Sequence, residues 1–356
     1  MGEPCDMVWS AERTTPAEVE SALSAMLVQR HGEHASCIPA RTLNLVCIVD
    51  ARSRADLVER LARLGGYHAS RTIVCSVEPR RTVISALVRI GSDMHPRPGE
   101  LAVLRETVVL ALGERHLTQL ESIVDPLVVA DLPTVVWSPA DYDDAVRALL
   151  GLSQVVLLDS VDEPVPIEAM WRARRWLEHA RVVDLAWVRT APWRERLAAT
   201  FDPPPLRPDL RRIRGVTVRH HAGSAVAALL LVGWLAERLG WRLSPLARGD
   251  RRREGVASAP GGDLRIVLCP SPRQRVQGLA GMTLETGSGR TLSLNRAPGG
   301  LLAREREHGG EQRAWTLLGA SRGESGILGE AIRQALMPER LYGPAVAAAC
   351  TLAANR

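Results

Sequence analysis

Two β-α-β patterns in about the first 160 residues constrain the fold of this chain more than any other feature. Apolar, strand-like runs cover Thr42 to Val49 and Arg71 to Val77, and a helix with leucines at helical spacing separates them. The second pattern leads from TVVW at 134–137 through a helix to the apolar run 154–158. Strands joined by crossover helices pair in parallel with a right-handed connection. The sequence therefore predicts an open, largely parallel α/β sheet with helices on both faces.

The pattern changes after Asp202. The segment DPPPLRPDLRR holds four prolines, so we predict that 203–212 is a stiff, extended linker. Beyond it come a strand, a mostly apolar helix, several more strands with a Gly/Ser hairpin, and a closing helical region. This order is typical of a smaller α+β domain with a mainly antiparallel sheet. The predicted organisation is an α/β domain over 1–202, the linker, and an α+β domain over 213–356.

All 45 basic residues are arginine, and the 356 residues contain no lysine. A Walker-type phosphate loop, a pyridoxal-phosphate Schiff base and a class I aldolase are therefore excluded, because each needs a lysine. The formal charge of +5 is spread along the chain among 40 acidic residues, so it does not predict nucleic-acid binding. The chain shows no signal peptide, and no apolar run is long enough to span a bilayer. We expect a cytoplasmic protein without a membrane partner.

The sequence predicts no catalytic centre, no metal site and no cofactor. Neither GxGxxG nor GxxxxGK[ST] occurs, and no histidine or cysteine stands at metal-ligand spacing. Ligands of an open α/β sheet bind beyond the carboxyl ends of its strands, where this chain offers Asp50, Trp137, Ser138, Asp159 and Ser160. The alternative to a non-catalytic protein is therefore a sugar-phosphate- or nucleotide-binding enzyme or sensor that uses this edge.

Two cysteines, Cys47 and Cys75, lie within two of the strand-like runs. A cysteine in such a run is usually a small, buried hydrophobic residue. If the two strands pair, their sulfur atoms could approach each other, so a redox switch is the alternative. Reduced thiols are the default for a chain without a secretion signal.

The stretch VVDLAWVRTAPWRERLAATFD, Val182 to Asp202, gathers two tryptophans, three arginines and the only phenylalanine of the chain. Thr190 can cap a helix in which Trp193, Leu197 and Phe201 share one stripe. Large aromatic residues flanked by arginine are typical of protein–protein hot spots. The stretch therefore predicts a binding surface rather than a reaction centre.

The same stretch resembles, nearly residue for residue, the central signature of the bacterial glucose-6-phosphate dehydrogenase assembly proteins, the OpcA family. HLTQLESIVDPLVVADLPTVVW resembles the second motif of that family, and RTLNLVCIV and HASRTIV are similar to two shorter N-terminal motifs. Together these motifs cover about half of the first predicted domain, in the order that the family shows. The resemblance weakens after the proline-rich segment.

The resemblance implies a protein that is no enzyme, binds glucose-6-phosphate dehydrogenase and promotes its active oligomer, thereby controlling entry to the oxidative pentose phosphate pathway. Among the motif positions we expect Trp187, Arg189 and Arg194 to contact the partner and Trp193 to lie in the core. The sequence leaves open the stoichiometry, the oligomeric state of the chain itself and the role of the remaining motif positions. These positions are Asp125, Pro126, Asp131, Leu132 and Pro133.

Overall fold

The computed structural model describes residues 7–33, 37–39, 41–62, 70–92, 102–139, 142–161, 165–249, 252–307, 309–310, 312–318 and 324–354. The chain divides into two compact units. The first comprises Met1–Leu158, His179–Val183 and Leu328–Met337, and the second comprises Asp159–Glu178, Asp184–Ile327 and Pro338–Arg356. The units do not follow the predicted limits, since most of the aromatic stretch belongs to the second unit. The limits of independently folding domains stay a prediction.

The strands, in chain order, are β1 (Met7–Ala11), β2 (Cys37–Ile38), β3 (Leu43–Asp50), β4 (Ser70–Val77), β5 (Ser85–Ser92), β6 (Ala102–Leu112), β7 (Thr134–Trp137), β8 (Val155–Leu158), β9 (Arg181–Asp184), β10 (Ile213–His220), β11 (Ala247–Arg248), β12 (Arg253–Ala259), β13 (Gly262–Pro270), β14 (Leu279–Thr286), β15 (Thr291–Ala297), β16 (Gly300–Arg306) and β17 (Gln312–Leu318). The helices are α1 (Pro16–Glu33), α2 (Arg54–Ala62), α3 (Leu120–Val124), α4 (Asp143–Ala148), α5 (Pro166–Trp176), α6 (Leu185–Val188), α7 (Ala191–Phe201), α8 (Arg207–Leu210), α9 (Ala225–Leu239), α10 (Glu324–Ala335) and α11 (Tyr342–Ala353). Short 3-10 helices cover Glu114–Gln119 and Asp125–Leu127.

The sheet of the first unit has the order β1-β5-β6-β4-β3-β7-β8-β9, and β2 pairs with β6. The pairs β3–β4, β4–β6, β3–β7 and β7–β8 are parallel, whereas β1 and β5 add an antiparallel edge. Without β1, β2 and β5, the remaining strands stand in the order β6-β4-β3-β7-β8-β9. Numbered along the chain, these six strands have the order 3-2-1-4-5-6, which is that of doubly wound dinucleotide-binding folds. In β3 every residue from Leu43 to Val49 is buried, as expected of a strand covered on both faces. The predicted α/β fold is confirmed.

The register of β3 and β4 contradicts the redox alternative for the two strand cysteines. Cys47 lies opposite Val74, and Ile48 lies opposite Cys75. Opposed residues share a face of the sheet and successive residues alternate, so the two sulfur atoms lie on opposite faces. A disulfide between them lacks the required geometry. Burial raises the pKa of Cys75 to about 12 and the pKa of Cys47 still further, so both thiols stay protonated.

The sheet of the second unit has the order β11-β12-β13-β10-β14-β15-β16-β17. Only the pair β10–β13 is parallel among the pairs of this sheet in the described residues. Helix α9 packs on β10 and β13, and α11 packs on α9. These helices approach closely at Gly233, where a Cβ atom would lie 2.9 Å from the backbone nitrogen of Ala349. The predicted α+β architecture with a mainly antiparallel sheet is confirmed.

The proline-rich segment 203–212 is not the extended linker that the sequence predicted. It contains the short helix α8, with Pro208 in its first turn. Proline suits that position, because its fixed φ is helical and the first turn does not need its missing N–H group. Asp209 of α8 is buried, and its carboxylate lies 3.2 Å from Nε of Arg290 in the second unit. The segment is therefore part of that unit.

Candidate functional site

The two helices of the aromatic stretch, α6 and α7, begin at polar side chains. Asp184 precedes α6, and its Oδ1 accepts a hydrogen bond of 2.8 Å from the backbone nitrogen of Ala186. Thr190 precedes α7. The sequence predicted that its side chain would cap this helix, but the side chain makes no capping hydrogen bond. Its hydroxyl instead donates to the carbonyl oxygen of Trp187 at 2.7 Å. The Thr190 hydroxyl therefore ties the start of α7 back to α6.

The predicted apolar stripe of α7 is present. Trp193, Leu197 and Phe201 are all buried, with at most 3% of each residue exposed. The three lie at a spacing of four residues, so they share one face of the helix. Trp193 therefore lies in the core, where we expected it.

A buried ion pair within the second unit joins Asp159 to the turn between α6 and α7. The guanidinium of Arg189 donates two hydrogen bonds to Asp159, from Nη1 to Oδ1 at 2.8 Å and from Nη2 to Oδ2 at 2.7 Å. The side chains are 4% and 0% exposed. Such a bidentate pair fixes the orientation of both groups, and loss of either partner leaves a buried charge uncompensated.

The neighbouring carboxylate, Asp184, is the centre of a second buried network. Its Oδ2 accepts hydrogen bonds from the hydroxyls of Ser160 at 2.5 Å and Tyr342 at 3.0 Å. Burial, and to a lesser degree the charge of Asp159, raises the pKa of Asp184 from 3.8 to about 6, although the hydrogen bonds oppose the shift. A carboxyl group with this pKa carries a proton in the folded protein at a pH where it would ionise in the unfolded chain.

This shift predicts a pH dependence of stability. Because the folded-state pKa of Asp184 is raised, its contribution to the unfolding free energy is fully present below pH 3.8 and is lost as the pH rises to about 6. We expect the unfolding free energy of Asp184→Asn to fall less than that of the native chain across this interval. Urea unfolding of both chains at several pH values measures the difference, and parallel curves would contradict the prediction.

Trp187 lies between an arginine and a tyrosine. The guanidinium carbon of Arg194 stands 3.4 Å from the centroid of the indole ring, and the ring of Tyr342 lies 5.8 Å away at an interplanar angle of 53°. Arg194 Nε also donates to the hydroxyl of Thr190 at 3.0 Å, and the indole nitrogen of Trp187 donates to Glu339 at 3.5 Å. Burial lowers the pKa of Arg194 to about 10. The cation–π contact compensates for part of the lost hydration of this arginine.

The three predicted partner contacts are all buried in the structure. The exposed fractions are 1% for Trp187, 5% for Arg189 and 9% for Arg194. The structure brings the three together in one cluster of the second unit, where each bonds to neighbours within that unit. Their role in partner binding stays a prediction, but as placed they offer a partner little surface.

The other motif positions lie in a loop of the first unit, and the side chain of one asparagine is hydrogen-bonded to the backbone of this loop. Asn44 accepts a hydrogen bond of 2.9 Å from the backbone nitrogen of Val129 and donates to the carbonyl oxygens of Val129 at 3.0 Å and Leu132 at 3.3 Å. Sequence reasoning missed this residue, although an asparagine inside the apolar run LNLVCIV was the signal. Asn44 fixes the path of the loop that leads through Pro133 into β7.

Two carboxylates of this loop face solvent. Asp125 and Asp131 are exposed, and neither side chain has a hydrogen bond or ion pair with any residue that the structure describes. Pro126 is exposed as well, whereas Leu132 and Pro133 are half-buried. The fold of the loop therefore does not depend on either carboxylate.

The strand ends that an α/β ligand would use are engaged in internal contacts. Tyr142 donates a hydrogen bond to Asp50 at the end of β3, and the guanidinium of Arg60 lies 5.2 Å from the ring centroid of the buried Trp137. Asp159 and Ser160 are engaged by the networks described above. Within the described ranges, no group of three or more histidine, cysteine, aspartate or glutamate residues is placed to hold a metal ion.

A cavity of about 670 Å³ lies elsewhere in the first unit. It covers the first half of β4 and the middle of β6, with Thr72, Thr107, Arg89 and Arg105 among its lining residues. None of the five residues predicted for a ligand at the strand carboxyl ends is among the described lining residues. The cavity therefore does not supply the site that the alternative function requires.

No helix in the described part of the chain has both the length and the apolar character needed to cross a bilayer.

Two sequence families match this chain, and their descriptions name two domains of a glucose-6-phosphate dehydrogenase subunit. Residues 58–175 match the N-terminal domain of that description, and residues 180–346 match the C-terminal domain. A protein of Nostoc punctiforme named OpcA is 30% identical over 163 residues, which is 45% of this chain and 35% of that protein. The OpcA protein of Synechococcus elongatus is 28% identical over 141 residues, 38% of this chain and 32% of the relative. The matched region thus spans about a third of these relatives.

Several solved structures with a similar arrangement are named as oxidoreductases or dehydrogenases. One from Bacillus cereus has a TM-score of 0.49 at 10% identity, over 87% of this chain and 94% of that chain. The WlbA dehydrogenase from Thermus thermophilus, in complex with NAD and alpha-ketoglutarate, has a TM-score of 0.46 at 14% identity, over 87% of this chain and 93% of that chain. Similarity at this level carries no argument about function.

Proposed function

Because this chain belongs to the OpcA family of glucose-6-phosphate dehydrogenase assembly proteins, we propose that it binds glucose-6-phosphate dehydrogenase and promotes the active oligomer of that enzyme. In this proposal the chain is a cytoplasmic protein without catalytic activity or a cofactor, and it controls entry to the oxidative pentose phosphate pathway. The observation that carries the proposal is that the two family matches together run from residue 58 to residue 346.

The contacts at the strand ends support the non-catalytic part of the proposal. Asp50, Asp159 and Ser160, which could have served a ligand, are bonded to other side chains of their own units. A substrate at this edge would have to break a buried ion pair, which costs several kcal/mol. An enzyme or sensor with its ligand at the strand carboxyl ends is therefore the less favoured function.

The buried cluster supports partner binding indirectly. Trp187 and Arg189 bond to residues after and before the aromatic stretch, and Arg194 stacks on Trp187 within it, so together they fix the positions of α6 and α7. The outer side of α7 presents Glu195, Ala198 and other exposed residues. We infer that the three predicted contact residues hold this outer surface in shape and do not touch the partner themselves.

We place direct contacts on the exposed loop of the second motif, and this assignment gives a testable prediction. The carboxylates of Asp125 and Asp131 are free to pair with arginine or lysine of a partner, because neither carboxylate bonds to a residue that the structure describes. We expect the double variant Asp125→Asn/Asp131→Asn to bind the dehydrogenase about 10-fold more weakly, with an unchanged melting temperature. Binding is measured by titration at low and high salt.

The matched control for the double variant is Glu237→Gln, which neutralises another exposed carboxylate, near the end of α9. This control should bind like the native chain. If the double variant also binds like the native chain at low salt, the loop makes no contact and the assignment is refuted.

Size-exclusion chromatography with light scattering tests the proposed function. The chain is mixed with the glucose-6-phosphate dehydrogenase of the same organism, with substrate present, and activity is assayed across the peaks. We expect a heavier species that contains both proteins and has raised dehydrogenase activity. Separate elution with unchanged activity at micromolar concentration would overturn the proposal.

A further inference from the structure

The cavity of about 670 Å³ in the first unit has a sheet as its floor and a helix as one wall. The neighbouring strands β4, β6 and β5 form most of the floor. Helix α2 lines the cavity with Ala55, Val58 and Leu61, whose spacing of three residues places them on one side of the helix. Leu45 of β3 and Ile332 of α10 are further apolar lining residues. A concave site of this volume is in the range that binds small molecules.

The floor changes from apolar to polar along its strands. The apolar row across β4, β6 and β5 consists of Val74, Val109 and Leu87. Two residues away on each strand lies a polar row, in which Thr107 stands opposite both Thr72 and Arg89. Residues two apart on a strand share a face, so both rows face the cavity. The hydroxyl of Thr107 has no hydrogen bond to any residue that the structure describes, so it is available to a ligand.

Two arginines of this face stand on neighbouring strands. Arg89 lies opposite Thr107, and Arg105, two residues before Thr107, lies opposite Gly91. Arg89 and Arg105 are therefore diagonal neighbours, whose Cβ atoms are roughly 7 Å apart in an antiparallel pair. Two positive charges at this distance repel each other, and an anion between them offsets the repulsion. Gly91 has no side chain and Thr107 has a short one, so room for a ligand remains beside each arginine.

The lining side chains that the structure describes carry more positive than negative charge. The charged ones are Arg54, Glu59, Arg89 and Arg105. Glu106 lines the cavity with its backbone, because its carboxylate bonds to Arg71 at 2.7 Å on the other face of the sheet. Glu59 balances at most one of the three arginines. Arg89 is exposed and has no hydrogen bond or ion pair with any described residue, so the cavity offers an excess of positive charge to an anion.

We propose that this cavity binds a small organic anion with an apolar body. The anionic group lies between Arg89 and Arg105, and the apolar body covers the row that contains Leu87. Guanidinium groups bind carboxylates and phosphates through charge-assisted hydrogen bonds, which are about twice as strong as neutral ones. From Leu87 to Gly91, four residues along β5, the floor extends about 13 Å at about 3.3 Å per residue, which sets the length of the ligand. The proposal does not depend on the proposed function.

Fluorescence titration with anilinonaphthalene sulfonate tests the site. This probe joins an apolar ring system to an anionic group and becomes bright in apolar surroundings. We expect the native chain to bind the probe saturably at micromolar concentration and decanoate to displace it. Decanol has the same carbon chain without the charge, so it should displace the probe about 10-fold more weakly, because it makes no charge-assisted bond to the arginines.

Neutralising one arginine tests the anionic end of the site. Arg89→Gln should bind decanoate about 10-fold more weakly than the native chain, because one of the two guanidinium groups is lost. Its melting temperature should not change, since Arg89 is exposed and bonds to no described residue. Arg304→Gln is the matched control, because Arg304 is an exposed arginine in a strand of the second unit, and this control should bind like the native chain.

Filling the cavity tests its location. Thr107→Trp places an indole ring in the polar row and should weaken binding of the probe at least about 100-fold, because the ring occupies the space of the ligand. Thr107→Val keeps the shape of the side chain and loses the hydroxyl, so it should weaken binding by at most about 10-fold. Circular dichroism shows whether the variants are folded. If Thr107→Trp does not fold, Arg89→Gln and the comparison of decanoate with decanol still decide.

Three results would overturn the proposal. The first is a native chain from which decanol displaces the probe as well as decanoate does, since the site would then select no anion. The second is binding of decanoate that neither Arg89→Gln nor a folded Thr107→Trp weakens, because the ligand would then lie elsewhere. The third is a native chain that binds no decanoate but loses its binding to the dehydrogenase in Arg89→Gln, because the cavity would then receive a side chain of that protein.

Discussion

Replacing Arg189 by methionine is expected to lower the free energy of unfolding by about 3–5 kcal/mol. Methionine fills much of the space but donates no hydrogen bond, so the carboxylate of Asp159 would remain buried without its two guanidinium bonds of 2.8 and 2.7 Å. That carboxylate is fully buried, and only the backbone nitrogen of Val161, at 3.1 Å, would still donate to Oδ1 among its described partners. Urea unfolding followed by tryptophan fluorescence measures the loss.

Burial, and not the ion pair as such, is the reason for the size of this effect. The pair Arg252–Glu254 has an N–O distance of 3.0 Å but is 54% and 35% exposed. Arg252→Met is therefore the matched control, and it should change the unfolding free energy by less than about 1 kcal/mol. The double variant Arg189→Met/Asp159→Asn should recover most of the loss, because no buried charge remains. Equal losses for Arg189→Met and Arg252→Met would refute this account of the pair.

The sequence predicted those parts of the fold that depend on neighbouring residues. The alternation of apolar runs and helices gave the α/β sheet, and the spacing of Trp193, Leu197 and Phe201 gave the buried face of α7. Sequence spacing did not give the register between strands. One residue of offset places Cys47 and Cys75 on opposite faces, and no local pattern encodes that offset. The helix at 207–210 was missed because prolines were interpreted as breakers, although they also suit a first turn.

The structure brings the three predicted contact residues of the aromatic stretch together, but the sequence did not predict that they are buried. Arginine beside tryptophan is typical of an exposed hot spot, and it is equally compatible with a buried cluster if acidic partners are available. Those partners are distant in sequence. Asp159 lies 30 residues before Arg189, and Glu339 lies 152 residues after Trp187. A local pattern cannot reveal which carboxylates meet these side chains, so only the folded second unit distinguishes a contact surface from its internal support.

Replacing Trp187 by alanine is expected to cost about 3–5 kcal/mol of unfolding free energy. The substitution opens a cavity beside Tyr342, removes the ring under Arg194 and leaves Glu339 without the indole donor. Trp171→Ala makes the same change on α5, where the tryptophan is 41% exposed, and should cost less than about 1 kcal/mol. Urea unfolding of the two variants provides the comparison, and similar losses would show that Trp187 is not packed as the structure has it.

A milder substitution distinguishes internal support from direct contact at the same position. Trp187→Phe keeps an aromatic ring for Arg194 to stack on and loses the indole N–H group that Glu339 accepts. If Trp187 acts by holding α6 and α7 in place, this variant should bind the dehydrogenase within about twofold of the native chain. Truncation of a side chain weakens binding most where that side chain itself contacts the partner. A large loss of binding at an unchanged melting temperature would instead require the indole to touch the partner. Trp187 would then have to become exposed when the complex forms, and the sequence-based assignment of Trp187 as a contact would replace the supporting role.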